Sequence, residues 1–206
     1  MALKKSNTTA PDETQSSQRD CSEISQDLIS EDPSKRRWAA RDIVSCEHAS
    51  VMLLDQLEAE KDISVKQIIL SSLTQIGDTE AVNGLVRCLR TEDVSLRNEA
   101  IEAMKHLPQE VASIMASLLN DPDPDVRIFA VNILESLCHP DVEQWLIDVI
   151  RDDEHINVCA TAVDLLGEVG SEQSEPALQA LKERFTDEPY TVSYTHLTLP
   201  TKKRGG

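Results

Sequence analysis

Apolar and polar residues alternate along most of this chain with a helical period, and the same phase returns about every thirty residues. In "DPDVRIFAVNIL", residues 123–134, Asp and Pro precede an abruptly apolar run. Asp suits a helix N-cap and Pro its first turn, so the stretch predicts a helix start. Weaker copies are "DPSKRRWAARDI" from Asp32, "DISVKQIILSSL" from Asp62 and "DVSLRNEAIEAM" from Asp93, with "HINVCATAVDLL" aligning from His155. Apolar or small residues line up down the copies. Seven places past the anchor stand Ala39, Ile69, Ala100, Ala130 and Ala162. Eleven past stand Ile43, Leu73, Met104, Leu134 and Leu166, and fourteen past stand Cys46, Ile76, Leu107, Leu137 and Val169. Offsets of 3, 7, 11 and 14 share one stripe of a helix. Ala at the seventh place leaves room for close helix–helix approach.

Each copy then breaks, at "CEH", "GDTE", "LPQE", "CHPD" and "VGSEQ", and a second apolar stripe follows. These stripes are Val51, Leu54 and Leu57; Val82, Leu85 and Leu89; Val111, Ile114, Met115 and Leu118; Val142, Trp145, Leu146 and Val149; Ala177, Leu178 and Leu181. The predicted architecture is therefore all-α, with five antiparallel helix pairs starting near 32, 62, 93, 123 and 155. One pair cannot bury its stripe alone, but stacked pairs share a continuous core.

The D-x-x-V-R pattern is clear in "DPDVR" (123–127) and "DVSLR" (93–97) and weaker in "DISVK" (62–66) and "DPSKR" (32–36). These residues resemble HEAT repeats, in the short bacterial form also seen in phycobilin-lyase HEAT-like proteins. The resemblance covers about residues 25–187 and implies a right-handed α-solenoid. It also implies a ladder along the stack, made of Asp32 and Arg36, Asp62 and Lys66, Asp93 and Arg97, and Asp123 and Arg127. Each Asp is placed to cap a helix, and the basic residue four places on lies within reach of a carboxylate of its own or a neighbouring repeat. The fifth copy departs from the pattern, with His155 and Cys159 in place of Asp and Arg. Similar short acidic proteins look to be encoded beside chemotaxis signalling proteins, which implies an accessory role in a bacterial system of that type.

The flanks differ. Residues 1–24 are rich in Ser, Thr, Gln and Asp with almost no aliphatic side chains, which predicts disorder. Residues 188–206 read as an irregular tail. Within it "VSYTHLTLPT" (192–201) has no helical stripe and resembles a translated sequencing-library adapter, so native sequence is expected to stop matching at about 192.

Composition narrows the chemistry. With 20 Lys plus Arg against 37 Asp plus Glu, the formal charge is −17. A phosphate backbone or an anionic membrane would be repelled, so neither nucleic acid nor membrane is an expected partner. Aromatics at 3% are too few for base-stacking platforms. The N-terminal residues lack the apolar run of a secretory signal, so the expected location is the cytoplasm. Five cysteines, Cys21, Cys46, Cys88, Cys138 and Cys159, are far apart and odd in number, and they read as small, mostly buried thiols.

No active site is legible. His155 and Cys159 have the spacing of two ligands on one helix face, but two are too few for a closed zinc site. There is no Gly-rich phosphate loop, and no cofactor is expected. The paired carboxylates read as solvated faces and caps. The expected function is a non-catalytic scaffold for a protein with a basic surface, and the alternative is a component of a bilin-lyase-like enzyme. The second helices are expected to line the concave face and to offer Asp55, Glu58, Glu80, Asn83, Glu110, Glu143 and Asp148 to the partner. The one basic cluster, "KRRWAAR" (35–41), offers Arg37 and Trp38 as a second candidate surface.

Overall fold

The computed structural model describes residues 20–185. Residues 1–19 and the predicted tail, including 192–201, lie outside that range. The helices are α1 (Cys21–Leu28), α2 (Pro33–Asp42), α3 (Ala49–Ala59), α4 (Ile63–Ile76), α5 (Thr79–Cys88), α6 (Val94–Lys105), α7 (Pro108–Leu119), α8 (Pro124–Leu134), α9 (Val142–Asp152), α10 (Ile156–Val169) and α11 (Glu175–Arg184). Short 3₁₀ turns at Ile43–Ser45 and Glu172–Ser174 end α2 and lead into α11. The five predicted pairs are all present, preceded by α1.

Local chemistry sets the starts. Asp32, Asp62, Asp93 and Asp123 are the N-caps of α2, α4, α6 and α8, and each carboxylate accepts backbone N–H bonds from the first turn. Those donors have no partner within the helix, so a side-chain cap is worth about 1 kcal/mol. α4 stops at Gly77, whose φ of +59 suits the left-handed residue that closes a helix. The stripes become the core. All five residues of the seventh-place column are 0% exposed, and those of the eleventh are 0–1% exposed. A fully buried Leu or Ile contributes about 1.5–3 kcal/mol, so these columns account for much of the cohesion between pairs.

Three expectations need correction. Residues 21–24, read as disordered, belong to α1, where Ile24 and Leu28 are buried. A helix this short still docks because its two apolar side chains are buried as it packs alongside α2. Cys21 and Cys46, read as thiols, form a disulfide across 25 residues, because α1 folds back against the turn after α2. Val51 and Val169 leave their stripes and are 44% exposed, since the buried positions fall to Leu53 and Leu166 instead.

The helices fall into two layers. The first helices of the pairs meet their neighbours at every junction, α2–α4, α4–α6, α6–α8 and α8–α10, and more extensively than the second helices do. α7 and α9 hardly touch. The Ala column permits the tight layer. The tightly packed α2, α4, α6, α8 and α10 form one layer, the inner, and α3, α5, α7, α9 and α11 the other, the outer.

Gly84 marks a close approach within the outer layer. A Cβ there would stand 2.1 Å from Leu54 Cδ2, so only glycine lets α5 seat against α3 without displacing that side chain.

Candidate functional site

Three of the four cations expected to form a ladder, Arg36, Lys66 and Arg127, pair with a carboxylate, and only Asp93 among those acids was expected. Arg36 donates from Nε and Nη2 to the two carboxylate oxygens of Glu60, at 2.7 and 2.8 Å. Arg127 makes the same two-pronged pair with Asp153, at 2.7 and 3.0 Å. Lys66 reaches Asp93 at 2.9 Å. Thus these three cations each hold the following repeat, and of the predicted acids only Asp93 both caps and pairs.

The residues missed by sequence reasoning form a column two places before each anchor: Ser30, Glu60, Thr91, Asp121 and Asp153. In all five, the side chain accepts the backbone N–H of the anchor residue, at 2.8–3.3 Å. At three of them the backbone carbonyl accepts Nη1 of the same repeat's arginine: Ser30 from Arg36, Thr91 from Arg97 and Asp121 from Arg127, each at 2.8 Å. Where the column holds a carboxylate, it can also take a cation from the repeat before. Where it holds Thr91, Lys66 turns to Asp93 instead. The signal was present in the sequence as a polar column, but its side chains vary in length and type.

The rung between the third and fourth pairs differs. Asp121 bonds to Arg90, from the turn after α5. Arg97 is left with the Thr91 carbonyl and the ring of Phe129, 5.2 Å from its guanidinium. Its Nε is buried without a hydrogen-bond partner among the described residues.

Electrostatics follow this geometry. The Arg36 guanidinium hydrogen-bonded to Glu60 is the main reason that carboxyl is pushed down to about 2, helped by the backbone of Lys61 and Asp62 and by Gln56. Lys66 lowers Asp93 in the same way. Burial raises the thiols of Cys88 and Cys159. Perturbed carboxyls are often catalytic, but those of Glu60 and Asp93 are explained by structural pairs. Among the described residues, no group of three or more His, Cys, Asp or Glu is gathered as a metal would need. Cys159 donates to the Asp153 carbonyl at 3.3 Å rather than turning toward His155.

The candidate partner-binding residues divide. Asp55, Glu58, Glu80, Asn83 and Glu110 are exposed on α3, α5 and α7 of the outer layer. Glu143 is half-buried and accepts three bonds, from Ser171 N at 2.6 Å, Ser171 Oγ at 2.7 Å and Ser174 Oγ at 2.8 Å. It ties α9 to the approach to α11. Asp148 is half-buried and paired with Arg151 at 2.9 Å. It borders a cleft of about 610 Å³ between α7 and α9. Arg37 and Trp38 are exposed on α2.

A family profile described as HEAT repeats matches residues 50–114 and 111–194. No curated protein matches this chain. Among solved structures, the complex of CpcE and CpcF of phycocyanin lyase from Nostoc is similar at 16% identity, with 94% of this chain and 98% of that one covered and a TM-score of 0.40. An engineered protein is similar at 18% identity, 85% and 92% coverage and a TM-score of 0.41. A designed armadillo repeat protein is similar at 17% identity, 87% and 98% coverage and a TM-score of 0.41. No described helix is long and apolar enough to cross a membrane.

Proposed function

We propose that this chain, which belongs to the HEAT-repeat family, is a scaffold that binds a protein with a basic surface and carries out no reaction itself. The observation that carries the reading is the use made of charge. The shifted carboxyls of Glu60 and Asp93 are committed to pairs that hold repeat to repeat. The carboxylates left in water, Asp55, Glu58, Glu80 and Glu110, stand along successive helices of the outer layer, with Asn83 among them. Such a row steers a cationic surface from a distance and sets the association rate more than the stability of the fold. Glu143 and Asp148 are left out of the row because each has a structural partner.

The experiment is affinity capture from the source organism with the full chain and with Glu58→Gln, Glu80→Gln and Glu110→Gln combined. The expected result is a captured protein with a basic surface, whose on-rate falls with rising salt and falls again in the triple variant. A captured set that ignores the triple change would remove the outer layer from the reading. Covalent attachment of an added bilin, seen by absorbance and mass, would overturn the non-catalytic assignment.

A further inference from the structure

One helix face of this acidic chain is basic. Lys35, Arg37, Trp38 and Arg41 are all exposed on α2, with Trp38 at 48%. Positions 37, 38 and 41 are neighbours at helical spacing. The fourth cation of the segment, Arg36, points the other way into its pair with Glu60 and takes no part. Arg41 lies over the indole of Trp38, 4.1 Å from the ring centroid, and bonds to Asp42 at 3.0 Å. This stacking holds two long side chains in place before any partner arrives, which reduces the ordering cost of binding.

The charge of the inner layer changes along the stack. Nine places past successive anchors stand Arg41, Ser71, Glu102, Asn132 and Asp164. Five past stand Arg37, Gln67, Asn98, Ile128 and Ala160. In these two columns the cations fall on α2 alone, and carboxylates appear toward the other end.

We infer that the outward face of α2 docks an acidic polypeptide segment of a partner protein, with Trp38 as the apolar anchor and Lys35, Arg37 and Arg41 as its cationic contacts. Arginine matches a carboxylate with two parallel N–H donors, and exposed Trp beside Arg is the composition of an interface anchor. The rest of the chain repels such a segment, so its acidic side chains are accepted at α2 and refused near Glu102 and Asp164. That contrast fixes the site and the direction of approach. Duplex nucleic acid is the poorer match, because three cations neutralise few phosphates against a chain of −17. The surface lies on the opposite layer from the acidic row and takes the opposite charge, so the scaffold would hold two chemically different partners.

The test uses the full chain. Trp145→Phe leaves Trp38 as the only one of the two tryptophans. Its emission is followed while an end-blocked peptide of alternating Glu and Leu is added, with the Gln–Leu peptide as control. Binding of the acidic peptide alone, weakened at least tenfold by Lys35→Glu with Arg37→Glu at an unchanged unfolding midpoint, supports the inference. If Trp145→Phe does not fold, titration calorimetry on the unaltered chain reads the same comparison. No binding, or binding indifferent to the double change, overturns it. Tighter binding of a DNA duplex through Lys35 and Arg37 overturns it in favour of nucleic acid. Self-association abolished by the double change in sedimentation velocity overturns it in favour of a second copy.

Discussion

Arg184, on the last helix, reaches back to Cys159: its Nη2 lies 3.2 Å from the thiol sulfur and 2.7 Å from the Asp153 carbonyl. The same guanidinium bonds to the carbonyls of Ile150 and Arg151. Cys159 stands where the other repeats carry Arg36, Lys66, Arg97 and Arg127. The Asp153 carbonyl occupies the place that Ser30, Thr91 and Asp121 offer to their arginines. A cation 25 residues away therefore fills the rung that the fifth repeat lacks, and it fastens α11 to the stack.

Arg184→Ala should free α11 while leaving α2 to α9 in place. A hydrogen bond to a charged group is worth about 1.5–3 kcal/mol when well formed, and the partly exposed site puts this one toward the lower end. Hydrogen exchange should show faster opening of α11 and the end of α10 alone.

Arg127→Ala should cost about 1.5–3 kcal/mol, because Asp153 would keep a buried, unpaired carboxylate. Double-mutant cycles in denaturant separate the partners. Arg127 with Asp153 should show strong coupling, and Arg127 with Asp123 should be close to additive.

Acid should weaken the stack through Glu60. Its carboxyl is held at about 2 in the fold, against 4.5 for a free side chain, first by Arg36. A depressed carboxyl stabilises fully above its unfolded value, and the gain is lost as pH falls from about 4.5 through about 2. The contribution near neutrality is on the order of 3 kcal/mol. Unfolding midpoints of the unaltered chain and Glu60→Gln, measured from pH 7 to 2, should converge at the acid end.

Ala130→Leu should destabilise by about 1–3 kcal/mol, since the site is 0% exposed between the tightly packed inner helices. Denaturant midpoints check this, and an equal midpoint would place Ala130 outside a close helix contact.

Cys46→Ser should loosen α1. Closing a loop of this length is worth about 3 kcal/mol in the chain-entropy account. Reductant should reproduce the effect in the unaltered chain and have none in the variant, as read by proteolysis near Cys21.

By itself the sequence determined the five helix pairs, the Asp-capped starts of the first four and the two columns that became the fully buried core. Those features depend on neighbours within a turn or two, where caps and helical period act directly. It also placed the cations of the D-x-x-V-R pattern within reach of a carboxylate of their own or a neighbouring repeat. Only the tertiary structure decided which acids they meet. Glu60 and Asp153 lie 24 and 26 residues from their arginines, so the pairing depends on the spacing of stacked helices rather than on position along one helix. The same long-range packing brought Cys21 to Cys46 and Arg184 to Cys159, and drew Glu143 out of the solvated face to hold Ser171 and Ser174. The unequal packing of the two layers was also decided there. Small side chains in the Ala column show that some helices approach closely, but how far the second helices separate is a property of the whole stack.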